Sequence, residues 1–87
     1  MNIQELIHYG SGILKKNDVI SYLLDSEILM SKAIQRDRGY IMLNLNKKVD
    51  KKISNYFKDL IFQRSTHKPI AYILGKKSFW NYEFNIS

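Results

Sequence analysis

The stretch that decides the fold is "DKKISNYFKDLIFQRSTHKPIAYILG", residues 50–75. Asp50 reads as a helix N-cap, because its short carboxylate can accept from the backbone N–H groups that a first turn leaves unpaired. Ile53, Phe57, Leu60, Ile61 and Arg64 follow at i, i+4, i+7, i+8 and i+11, one face of an amphipathic helix ending near Ser65. Lys51 and Lys52 in the first turn oppose the helix dipole, so packing rather than propensity must hold it. Pro69 pushes Lys68 towards an extended conformation and ends the long helix, and it suits the first position of the next one. Ile70, Ile73 and Leu74 then share a face, and Gly75 is a natural left-handed stop. Two turns of helix do not survive alone in water, so this short element must dock on a bundle.

Working back from that stretch, further helical patterns appear. A first helix is predicted from about Asn2 to Lys15, with Ile3, Leu6, Ile7, Ile13 and Leu14 on one face. It contains "YGSG", whose Gly10 and Gly12 each cost about 1 kcal/mol relative to alanine. They either loosen the helix or let a neighbour approach closely; a phosphate loop would need a preceding strand and a following Lys-Ser or Lys-Thr. A second segment, capped by Asn17 or Asp18, is predicted to reach about Arg36, its stripe formed by Val19, Ile20, Leu23, Leu24, Ile28, Leu29 and Ala33. Asp25, Ser26 and Glu27 interrupt that stripe and predict a kink or a fresh internal cap. Tyr40–Leu43 reads as a short helical turn, followed by a loop through Asn44 and Asn46. The fold class is therefore all-α, a small bundle of about five helices.

Past Gly75 the period changes. Tyr82, Phe84 and Ile86 alternate with Glu83, Asn85 and Ser87, and Phe79 and Trp80 precede a turn near Asn81. Residues 76–87 are expected to begin a β-hairpin. A lone hairpin is marginal in water, so the chain reads as the front of something longer. The expected organisation is a helical domain over residues 1–75 and a hairpin linker over 76–87.

Composition narrows the function. Eighty-seven residues make one small domain, and 45% apolar content supports a real core. The lack of cysteine excludes a disulfide framework and a cysteine zinc site, and fits a cytoplasmic protein. No apolar run approaches a membrane span, and the start has Glu5 but no basic region of a signal peptide. The net charge of +6 has two readings. One is solvated lysine in a chain biased towards Ile, Asn and Lys; the other is a functional basic face. A nucleic-acid-binding helical domain would need a polar, arginine-bearing recognition helix, whereas helix 50–65 looks like core.

His8 and His67 lie on different elements without a nearby carboxylate cluster, so they read as surface or capping residues rather than metal ligands. Asp25 and Glu27, two apart, point to different helix faces and do not make a catalytic pair. Asp25 is read as an internal cap or as the partner of Arg38 or Arg64. Tyr72 is either a hydrogen-bonded core tyrosine or, with Arg64, a partner or interdomain contact. Phe79 and Trp80 either close the core under the hairpin or face a second domain.

Two segments carry a family resemblance. In "LLDSEILMSKAIQRDR" the residues are Leu24, Asp25, Glu27, Leu29 and Arg38; in "FQRSTHKPIAYILGKKSFWNYEFNIS" they are Arg64, Pro69, Ala71, Tyr72, Gly75, Phe79, Trp80 and Phe84. On these the chain resembles the N-terminal domain of the HemK/PrmC-type release factor glutamine methyltransferases, in order along almost its whole length. It departs at Gln63, Lys68 and Ser78, where an arginine, a glycine and an acidic residue are usual. The resemblance implies a five-helix substrate-recognition domain joined by a hairpin to a Rossmann-like domain. The parent would transfer a methyl group from S-adenosylmethionine to the GGQ glutamine of class I release factors. The implied partners are those factors and the parent's own C-terminal domain; nucleic acid and membrane are not expected. The sequence contains neither a glycine-rich cofactor turn nor an Asn-Pro-Pro-Tyr segment, so this chain alone is expected to be inactive, with no cofactor of its own.

Overall fold

The computed structural model describes residues 1–75, and there it is an all-α bundle of five helices. These are α1 (Ile3–Lys16), α2 (Tyr22–Ile34), α3 (Arg38–Leu43), α4 (Lys51–Ser65) and α5 (Ile70–Leu74). Helices α1, α2 and α4 pack pairwise, α3 leans on α2, and α5 bridges α2 and α4. Phe57 and Ile61 from α4, Leu6 and Leu14 from α1, Leu29 and Met30 from α2 and Ile41 from α3 fill the core, with no solvent exposure. The expected hairpin of residues 76–87, including Phe79 and Trp80, lies outside the described residues.

Local chemistry explains each helix end. Asn2 and Glu5 form a reciprocal capping box at the start of α1. Two more first-turn groups are satisfied by the 44–49 loop: Ile3 N–H donates to the Lys47 carbonyl and Gln4 N–H to the Leu45 carbonyl, both at 3.0 Å. Asp37 caps α3 and Asp50 caps α4, the latter accepting from Ile53 N–H at 2.8 Å as its sequence position requires.

The glycine pair in α1 has two different explanations. Gly10 is where α2 and α4 approach: an added Cβ would lie 2.6 Å from Ile61 Cδ1, 2.7 Å from Ser26 Oγ and 2.9 Å from Phe57 Cζ. Gly12 faces open space.

The second segment corrects several expectations. Helix α2 starts at Tyr22, not after Asn17 or Asp18. Those two residues end α1 instead: Asp18 is left-handed (φ 65°), and Val19 N–H donates to the Leu14 carbonyl while Asp18 N–H donates to that of Lys15. This is a Schellman closure, with Leu14 and Val19 both buried, and no new helix can begin inside it. Ile20, Leu23 and Leu24 are exposed, so the predicted stripe is rotated. The buried face is Asp25, Ser26, Leu29, Met30 and Ala33. Asp25 and Ser26 belong to that face because each has a hydrogen-bond partner on a neighbouring helix, a possibility that hydrophobic periodicity does not register. Ser26 Oγ donates to the Ile7 carbonyl at 2.8 Å, and α2 runs unbroken through Asp25 rather than restarting there.

At the other turns the differences are smaller. Helix α3 begins at Arg38, two residues before the predicted turn. Pro69 sits at the N-cap of α5 instead of its first helical position, its carbonyl accepting from Tyr72 and Ile73 N–H. Gly75 is left-handed (φ 82°) and stops α5 as expected.

Candidate functional site

The sequence-selected residues converge on the seam of α2, α4 and α5. Arg64, in the last turn of α4, donates through Nε to Asp25 Oδ2 at 2.8 Å. Its Nη1 donates to the carbonyl of Lys68, the residue before Pro69, at 2.9 Å. Ser21 Oγ donates to the same Asp25 oxygen at 2.9 Å. The pair is sheltered, the Asp25 and Arg64 side chains being 6% and 18% exposed. One guanidinium therefore clamps α2 to α4 and also fixes the strand of backbone that launches α5. Of the two arginines considered for Asp25, the fold selects Arg64; Arg38 pairs with Glu27 at 2.7 Å on the surface.

The far end of α5 is tied as well. Lys32 Nζ donates to the Leu74 carbonyl at 3.3 Å, where the helix leaves its last acceptors without intrahelical partners. Ile73 is buried beneath α5, with Ile70 and Leu74 packed partly against the core. Tyr72 corrects the core reading: it is 73% exposed, because α5 buries only the Ile70–Ile73–Leu74 face. Lys68 Nζ lies 5.9 Å from its ring centre.

Beside α5 lies an open groove of about 580 Å³, lined by Ile28, Ser31, Lys32, Tyr56, Leu74 and the turn after α2. The Ser31 hydroxyl is buried there without a partner among the described residues. Sequence reasoning missed Lys32 and Ser31. Lys32 follows Asp25 by seven residues, two helical turns on the same side, which is the signal that could have found it.

Asp25, Arg64, Pro69, Tyr72 and Gly75 are thus brought together, while Asp50 lies at the opposite end of α4 as a structural cap. His67 packs its ring nitrogen 2.7 Å from the Asn17 carbonyl and ends α4 in a left-handed conformation. Among the described residues no group of three metal-ligating side chains occurs, and no helix is long and apolar enough to cross a membrane.

The profile of the PrmC N-terminal domain matches residues 5–75, from the α1 capping box to the glycine that stops α5. The chain belongs to the PrmC N-terminal domain family. It is 34% identical to a release factor glutamine methyltransferase of Clostridium botulinum over 99% of this chain and 30% of that protein. A Leptospira interrogans protein of the same description is 30% identical, again over 99% of this chain and 30% of its own length. A bifunctional methyltransferase of Rickettsia felis is 30% identical over 99% of this chain and 16% of its own length. The chain thus spans less than a third of each of these relatives. No solved structure matches.

Proposed function

We propose that this chain is the substrate-recognition domain of a protein-glutamine methyltransferase, acting in the cytoplasm on class I peptide release factors. The observation that carries this reading is the family match over residues 5–75 together with relatives described as release factor glutamine methyltransferases. In this reading residues 1–75 form the recognition bundle and 76–87 lead towards a catalytic domain. In this reading S-adenosylmethionine is bound by the parent's other domain, where a strand followed by a glycine-rich turn would hold it.

The mechanism asked of this chain is orientation. A bundle that holds the release factor converts the encounter between its GGQ glutamine and the methyl donor into an intramolecular step. Holding is useful only if the bundle and the departing chain keep a fixed relation. The Asp25–Arg64–Lys68 clamp and the Lys32 tie supply that rigidity on the chain's own side. Tyr72, with Phe79 and Trp80 further on, is placed in this reading at the contact with the catalytic domain.

The test is competition. Added in excess to the parent enzyme, the 87-residue chain should raise the apparent KM for the release factor and leave that for S-adenosylmethionine unchanged. Unaltered kinetics at high micromolar chain would overturn recognition by this domain.

A further inference from the structure

Residues 36–52 make one end of the bundle and carry most of its charge. Within this segment Arg36, Arg38, Lys47, Lys48, Lys51 and Lys52 outnumber Asp37 and Asp50, so it holds four of the six net positive charges. From neighbouring elements Glu27 pairs with Arg38, and Glu5 lies in the capping box of α1, whose start the 44–49 loop crosses. All six cations are exposed, and only Arg38 has a carboxylate partner among the described residues. Asp37 and Asp50 are engaged with the N–H groups of Tyr40 and Ile53 as caps.

The fold concentrates these charges. Arg36 lies 4.3 Å and Lys47 6.0 Å from the centre of the Tyr40 ring. The 44–49 loop crosses the start of α1 through the Asn2–Lys48 bridge and leads directly into α4. The positive dipole ends of α1 and α4 therefore meet the lysine run and add to its field.

Next to them Leu43 is 86% exposed and Met42 44% exposed, in a shallow hollow shared with Gln4, Asn44 and Lys47. An apolar centre inside an amide and lysine rim is the anatomy of a protein interface. A surface for single-stranded nucleic acid would offer free aromatic faces for stacking, whereas the Tyr40 ring carries Arg36 and Lys47.

We propose that this end, centred on Leu43 and Lys47, is the surface that meets the release factor, and that the matching surface of the factor is acidic with an apolar knob. The proposal rests on the release-factor reading above and adds where on the domain the factor sits, the face opposite in character to the α5 seam.

The experiment titrates a fluorescently labelled class I release factor with the unaltered chain and with three variants. Lys47→Glu/Lys48→Glu/Lys51→Glu/Lys52→Glu should weaken binding by about tenfold or more and flatten its salt dependence. Leu43→Ser should weaken it by about fivefold with little change in salt dependence. Lys15→Glu/Lys16→Glu, at the other end of α1, should bind like the unaltered chain. Every substituted side chain is exposed, and far-UV circular dichroism checks that the helices persist. Binding by the quadruple variant and by Leu43→Ser as tight as by the unaltered chain would overturn this surface and leave the release-factor reading intact. No binding by the unaltered chain would overturn that reading and the surface with it. A parallel titration with transfer RNA should give at most weak binding; tighter binding there than to the factor, abolished by the quadruple substitution, would overturn the protein partner in favour of nucleic acid.

Discussion

Replacing Arg64 with methionine is the sharpest perturbation of the seam. Methionine keeps most of the aliphatic stem, so the loss is the guanidinium: its bond to Asp25 at 2.8 Å and its bond to the Lys68 carbonyl at 2.9 Å. Asp25 would be left nearly buried with Ser21 Oγ as its one side-chain donor. Removing one partner of a buried pair costs about 3–5 kcal/mol. The 18% exposure of Arg64 admits some water, which places the cost near the lower end, about 3 kcal/mol. For a domain of this size about 1 kcal/mol shifts Tm by about 4–8 °C, so Tm should fall by about 12–24 °C. That is a large share of the roughly 4–13 kcal/mol expected for such a chain. Combining Arg64→Met with Asp25→Leu removes the stranded charge and should recover much of the loss, giving a coupling energy of about 2 kcal/mol or more. Urea and thermal unfolding followed by far-UV circular dichroism measure all four corners of the cycle. A loss below about 1 kcal/mol for Arg64→Met, or additive single losses, would refute the buried-clamp reasoning.

The two α1 glycines should respond in opposite directions. Gly10→Ala should destabilise by about 1–3 kcal/mol because Ile61, Ser26 and Phe57 leave no room for a methyl group, while Gly12→Ala should stabilise by about 1 kcal/mol; chemical denaturation measures both. Asp50→Ala should cost about 1 kcal/mol through loss of the α4 cap, read by the same assay. Gly75→Ala should cost about 1 kcal/mol, since a side chain at φ 82° is strained although nothing crowds it. Tyr72→Ala, exposed as that ring is, should leave the unfolding free energy of the chain within about 0.5 kcal/mol of the unaltered value while lowering kcat of the parent enzyme, as measured by methyl transfer to the release factor.

Much of this architecture was legible because local chemistry and burial agree. Asp50, Pro69 and Gly75 act within a turn of their own positions, so the ends of α4 and α5 could be read directly. The start of α2 could not, because Asn17 and Asp18 are equally good residues for opening a helix and for closing one. Only the fit of Val19 into the core decides between them. The apolar stripe of α2 misled for a related reason: Asp25 and Ser26 are inside, and their burial depends on partners 39 and 19 residues away. Gly10 illustrates the same limit, since the sequence offered looseness and close approach as alternatives and packing against α4 chose the second. At the candidate site, Asp25 and Arg64 were visible as possible partners, whereas the meeting of Arg36 and Lys47 at the Tyr40 ring depends on how the turn after α2 and the 44–49 loop are folded together.

The central claim, that this bundle recognises a release factor, is tested most directly by NMR shift mapping of the isotopically labelled chain with a class I release factor, and separately with transfer RNA. Recognition predicts a contiguous set of shifted amides on addition of the factor, including Leu43 and Lys47, and at most small shifts with transfer RNA at the same concentration. An unperturbed spectrum at high micromolar factor would contradict it.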